Sequence, residues 1–170
     1  MIEDGMLSYD AETTKTFVQA LVGTDANFAE DIATIRAGSN QVKIMIAATG
    51  QRYNWIERTA YVKLNIESVA HELHHAAQHV KLGDEFDSAV FSSAKGRLAL
   101  EVSALATGEA AAGGNPTRKV KELLPIYHQQ PVYACDGGVD AALAWAFGKK
   151  FMAYSKARMD KLGIVESACK

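Results

Sequence analysis

Residues 59–80 decide the fold, and their sequence is TAYVKLNIESVAHELHHAAQHV. Polar and apolar residues alternate over residues 59–64, which predicts a half-buried strand. Asn65 is a good helix N-cap, and the apolar residues that begin at Ile66 recur with helical spacing until Gly83 ends the helix. This stretch therefore predicts a strand that leads directly into an amphipathic helix.

The predicted helix carries the motif H-E-x-x-H. His71 and His75 lie four positions apart, on one helix face and roughly 6 Å from each other. Two neutral imidazoles in this arrangement can bind one divalent cation, typically zinc. Glu72 points beside that position, where it could take a proton from a water molecule at the ion. The spacing is typical of zinc-dependent peptidases.

A third metal ligand is expected, because catalytic zinc usually has three protein ligands and one water. Glu101 follows on the next long predicted helix, where its neighbours are apolar or small. A charge among such residues is expensive unless it is paired or bound to a metal. We therefore predict that Glu101 completes a zinc site with His71 and His75.

Several other residues remain open as the third ligand. His79 lies roughly 12 Å along the helix axis from His71, too far for one ion, and is expected at the rim or the surface. Three acidic residues in a predicted loop could fold back, although a solvated acidic turn suits them better: Asp84, Glu85 and Asp87.

Glu109 also remains open as the third ligand, whereas His74 is kept outside the ligand set. Glu109 lies on much the same helix face as Glu101 but near the helix end, where we expect it to be exposed. His74 lies one position off the metal-binding row, so we expect a surface histidine or a satisfied core histidine.

The rest of the chain predicts a mostly helical α+β domain, with no regular structure over residues 1–10 and no linker that would divide residues 1–170. Two strands, at 41–46 and 59–64, are expected to pair in a small antiparallel sheet near the H-E-x-x-H helix. The remaining predictions are a helix at 11–22, a second helix that is capped by Thr24 or Asp25 and ends near Gly38, a loop at 84–91, a helix from Ser92 or Ser93 to Ala112, one from Thr117 disturbed at Pro125, a loop at 131–138 and a final helix at 139–162.

Composition and charge limit the classes of function. Hydrophobic residues make up 48% of the 170 residues and the net charge is −2, so nucleic acid and anionic membranes are not expected partners. Cys135 and Cys169 do not make a disulfide framework, although one bridge between them is possible. The start lacks the features of a signal peptide, and we expect a cytoplasmic protein or one exported without a cleaved signal.

At the residues described above, the chain resembles the zincin metallopeptidases whose third ligand is a glutamate, the gluzincins. It is also similar to small bacterial effector-type and phage- or plasmid-associated metallopeptidases. The resemblance covers residues 61–64, 71–75 and Glu101 with its small neighbours. It implies a single zincin-like domain, zinc bound by His71, His75 and Glu101, Glu72 as general base, and a protein or peptide substrate.

The function expected from these residues is the hydrolysis of peptide bonds. Zincins often add a tyrosine or histidine that stabilises the oxyanion, and Tyr127, His128 and Tyr133 are the candidates. Two alternatives remain open: a binding or regulatory module on a zincin scaffold, and a metal-free helical protein. An intact Glu72 favours the enzyme, because a binding module has no need of that carboxylate.

Overall fold

A computed structural model describes the backbone of residues 1–170 and every side chain except that of Phe91. The chain forms eight α-helices and a five-stranded sheet, which confirms the α+β class. It divides into two compact units, Met1–Lys81 and Leu82–Lys170. The expectation of one domain over residues 1–170 stays a prediction.

The first unit contains the whole sheet. Its strands are β1 (Ile2–Asp4), β2 (Leu7–Tyr9), β3 (Val42–Ile46), β4 (Arg52–Asn54) and β5 (Thr59–Val62). Their order across the sheet is β1-β2-β3-β5-β4. The inner strands β2, β3 and β5 run parallel to one another, whereas each edge strand pairs antiparallel with the strand beside it.

The prediction of an antiparallel sheet was wrong, because β3 and β5 pair in parallel with Ile44 opposite Ala60. The polar stretch between them contains the short edge strand β4, on the far side of β5. After β4 the chain turns back and enters β5, which therefore runs antiparallel to β4 and parallel to β3. A parallel pair needs such a crossover, whereas a hairpin would have made the pair antiparallel.

The prediction that residues 1–10 lack regular structure was also wrong. Residues 2–9 form the β1–β2 hairpin, and the side chains of Leu7, Ser8 and Tyr9 are all fully buried. A three-residue strand that is buried on both faces has no alternation of polar and apolar residues, so its sequence does not show the period-2 pattern.

Three helices complete the first unit: α1 (Glu12–Thr24), α2 (Ala26–Arg36) and α3 (Ile66–Leu82). Asp25 caps α2 by accepting a hydrogen bond from the Phe28 amide at 2.7 Å. Asn65 caps α3 in the same way, with the Ser68 amide donating at 2.8 Å. Both predicted N-termini are therefore confirmed, and α3 starts within a few residues of the end of β5.

The second unit is helical. Its helices are α4 (Asp84–Ser92), α5 (Ala94–Ala111), α6 (Pro116–His128), α7 (Gly138–Gly148) and α8 (Ala153–Lys161), with short 3-10 helices at Lys150–Met152 and Glu166–Cys169. Helix α5 packs against α4, α6, α7 and α8. Ser93 caps α5 through the Gly96 amide at 3.1 Å, and Gly96 and residues 98–108 are buried.

Two predictions for this unit need correction. The expected loop at 84–91 belongs to α4, whose Phe86, Ala89 and Val90 are buried at helical spacing. The expected final helix breaks at Lys149, where the backbone is extended, and resumes as α8. The helix predicted from Thr117 is present as α6, which starts one residue earlier at Pro116 and contains Pro125.

Candidate metal centre

Helix α3 positions the two histidines of the motif. His71 and His75 lie one turn apart, and their ring centroids are 4.9 Å from each other with the rings at 75°. Both side chains are buried, as are all the residues of α3 from Ser68 to His79. A helix that is buried on every face is held by packing, so the two imidazoles have a fixed direction.

The structure brings Glu101 together with both histidines. Each of the three buried residues offers one ligand atom, and these atoms all lie within 4.8 Å of one another. Donor atoms around one tetrahedral zinc, with bonds of about 2.1 Å, are roughly 3.4 Å apart. Small side-chain adjustments are therefore sufficient, and the group could hold a metal ion.

The chemistry of the donors fits a divalent cation of intermediate softness. Two imidazoles and one carboxylate are a ligand set that zinc accepts, with a position left for water. Glu72 adds a second buried carboxylate, only 3% exposed. Buried carboxylates are costly without a compensating charge, and a cation at this position would supply one.

Glu72 lies on the next position of α3, and its Oε1 is 3.9 Å from His71 Nε2. The distance between these two atoms exceeds that of a hydrogen bond. The carboxylate is nevertheless within the width of one water molecule of the ring nitrogen. If a metal ion and its water lay at this group, Glu72 would be close enough to exchange a proton with that water.

His75 has a buried partner that was not predicted from the sequence. His75 Nδ1 and Gln78 Oε1 are 2.8 Å apart, and Gln78 is fully buried on the same helix. Since residues at i and i+3 are neighbours on a helix, the spacing H-x-x-Q was the signal that could have identified Gln78.

Of the three oxyanion candidates, Tyr133 contacts Glu101. Its hydroxyl donates to Glu101 Oε1 at 2.9 Å. Tyr127 stacks on the Tyr133 ring, with centroids 5.4 Å apart. His128 Nε2 instead lies 3.1 Å from the backbone oxygen of Cys135.

His74 is the satisfied core histidine of the two alternatives left open by the sequence. Its ring is fully buried, and Nδ1 lies 3.0 and 3.2 Å from the two carboxylate oxygens of Asp31 on α2. Asp31 is 43 residues away in the chain, so the sequence carried no local signal for this pair.

The expectation that His79 is a rim or surface residue was wrong. His79 is 3% exposed, and its Nδ1 shares a 3.0 Å hydrogen bond with the hydroxyl of Tyr53 on β4. The rings meet edge to face. Strand β4 was not predicted, so the contact of its Tyr53 with His79 could not be expected from the sequence.

The acidic alternatives to Glu101 lie elsewhere. Asp84, Glu85 and Asp87 occupy the first turn of α4, where negative charge suits the helix dipole. Glu109 is half-buried and not exposed as expected, and its carboxylate lies 3.4 Å from Lys119 Nζ. Within the described part of the chain, the potential metal-binding group contains only His71, His75 and Glu101.

The two cysteines do not form a bridge. Cys135 and Cys169 are both free thiols, and burial raises the pKa of each above its usual value. Neither belongs to the group of three potential ligands.

No protein-family model, curated protein or solved structure matches this chain. Among the residues that the structure describes, no helix has the length and the apolar character needed to cross a lipid bilayer.

Proposed function

We propose that this protein is a zinc-dependent metallopeptidase that hydrolyses peptide bonds of a protein substrate. One observation carries the proposal: a buried group of two imidazoles and a carboxylate, with Glu72 beside one of the imidazoles. The motif H-E-x-x-H supports the same reading, because it combines two ligands and a base on one helix.

The chain's own residues would divide the reaction between them. A zinc ion held by His71, His75 and Glu101 would lower the pKa of a bound water to roughly 7 and polarise the substrate carbonyl. Glu72 would accept a proton from the water while the water oxygen attacks the carbonyl carbon. Glu72 would then donate that proton to the amine nitrogen as the C–N bond breaks.

Tyr133 is the best-supported candidate for stabilising the oxyanion. Its hydroxyl donates to Glu101 Oε1, which keeps a polarised O–H group at the carboxylate of the proposed ligand. Because a tyrosine hydroxyl has a single proton, Tyr133 would release Glu101 Oε1 in order to donate to the developing negative charge.

The first test is metal content. Purification without chelators and elemental analysis should find about one zinc per chain. Glu101→Gln should lose most of this zinc, whereas Glu109→Gln on the same helix should keep it. Zinc-free wild-type protein that takes up no zinc on reconstitution would contradict the proposal.

The second test separates metal binding from catalysis. Glu72→Gln should retain zinc and lose hydrolysis by on the order of 10²- to 10⁴-fold, because the variant keeps the shape of the side chain and removes the base. Glu67→Gln, in the first turn of α3, is the matched control. Cleavage of a denatured protein mixture is read from new N-termini by mass spectrometry. Equal rates for wild type and Glu72→Gln would refute the role of Glu72.

A further inference from the structure

The His75 ring has a buried hydrogen-bond partner on its own helix. Gln78 Oε1 lies 2.8 Å from His75 Nδ1, and both side chains are buried. An amide oxygen only accepts hydrogen bonds, so this contact requires the proton of the imidazole to be on Nδ1. The lone pair of a neutral ring is then on Nε2.

We propose that Gln78 is a positioning residue of the metal centre, which fixes both the tautomer and the direction of His75. The proposal rests on the metal site of the proposed function. A histidine that binds metal through one nitrogen commonly donates the N–H of the other to an orienting acceptor, and loss of that acceptor weakens metal binding. Here the acceptor is a neutral amide one turn along α3, and not a carboxylate.

The neutral amide has a consequence for affinity. It orients the ring without adding a negative charge beside it, whereas the neighbouring His74 has the carboxylate of Asp31 at Nδ1. A carboxylate in place of the amide would hold the same N–H and raise the basicity of the imidazole. We therefore expect Gln78→Glu to bind zinc at least as tightly as wild type, and Gln78→Leu to bind it about 10- to 100-fold more weakly.

The tautomer can be measured without any metal. In metal-free wild-type protein, ¹⁵N NMR of the histidine rings should show His75 protonated on Nδ1, with His75→Gln used to assign the signals. In Gln78→Leu the proton should move towards Nε2. A wild-type ring that is protonated on Nε2 would overturn the proposal, because Gln78 would then be a donor.

Zinc affinity is the second readout, measured by competition with a chromophoric chelator at one fixed pH. Gln19→Leu, an exposed glutamine on α1, is the control for glutamine loss and should match wild type. Circular dichroism at the same temperature establishes that each variant is folded. If Gln78→Leu fails to fold, the wild-type tautomer and Gln78→Glu still decide the question.

The outcomes separate this proposal from the proposed function. Equal zinc affinity of wild type and a folded Gln78→Leu would overturn the role of Gln78 and leave the peptidase standing. The predicted affinity order without any peptide hydrolysis would support Gln78 and contradict the peptidase. Wild-type protein that binds no zinc would overturn both.

Discussion

The buried pair of Asp31 and His74 links α2 to α3, and its removal is the sharpest test of how α3 is held. Both side chains are fully buried, and the carboxylate faces Nδ1 with both oxygens, at 3.0 and 3.2 Å. Breaking a buried pair from one side costs about 3–5 kcal/mol, because the remaining group stays buried without its partner. Asp31→Ala and His74→Leu should each lose about this much stability.

The double variant should lose much less than the sum of the two single variants, since neither polar group then remains. For a chain of this length, 3–5 kcal/mol corresponds to a fall in Tm of about 6–20 °C. Urea unfolding of metal-free protein gives the free energies. Asp160→Ala, which breaks an exposed ion pair with Lys156, is the control and should cost about 0.5 kcal/mol or less.

Two results would refute this reasoning. A loss below about 1 kcal/mol in Asp31→Ala would place the pair among weak polar contacts. Additive losses in the double variant would show that the two groups do not interact. Folded His74→Leu should in addition keep its zinc, because His74 is outside the potential ligand group.

Three further predictions concern stability. Tyr53→Phe should cost about 1–3 kcal/mol in urea unfolding and leave zinc content unchanged, because a buried ring nitrogen loses its partner. Gly96→Ala should be destabilising by about 1–3 kcal/mol, since a Cβ there would lie 2.7 Å from a backbone oxygen of α4; a stabilised variant would contradict the close approach. The hydrogen bond from the Arg36 guanidinium holds the pKa of Asp4 below its usual value. The stabilisation of the fold by this ion pair is therefore complete at a pH above the usual pKa of Asp4, and it is lost as the pH falls through the lowered pKa. Arg36→Gln should lose at most about 1 kcal/mol at pH 7, with the difference from wild type disappearing in acid.

Local signals in the sequence were sufficient for α3 and for the proposed ligands. The caps at Asn65 and Gly83 lie within a few residues of the helix ends, and the pair His71 and His75 is set by the helical repeat alone. Glu101 could be chosen because a carboxylate among apolar neighbours is unusual in a helix. These features depend on short spacings, which a single sequence contains.

The sheet could not be predicted to the same extent, because strand pairing depends on contacts distant in the chain. Strand β2 pairs with β3, although helices α1 and α2 separate the two strands along the chain, and β4 is only three residues long. The helix α4 was missed for a different reason: its three acidic residues indicate a solvated turn, although they equally suit a helix N-terminus. A pattern of nine residues is too short to separate these cases.

The adjacent histidines His74 and His75 show why spacing alone does not assign a role. Each ring has an acceptor at Nδ1, but that of His74 is a carboxylate from α2 and that of His75 is the amide of Gln78. The carboxylate can balance a positive charge on its histidine within the protein, whereas the amide cannot. A neutral His75 that donates its Nδ1–H to Gln78 has its lone pair on Nε2, which is the state that a metal requires of an imidazole ligand. The different environments of His74 and His75 depend on Asp31, which is distant in the chain, so the residues around the motif do not predict them.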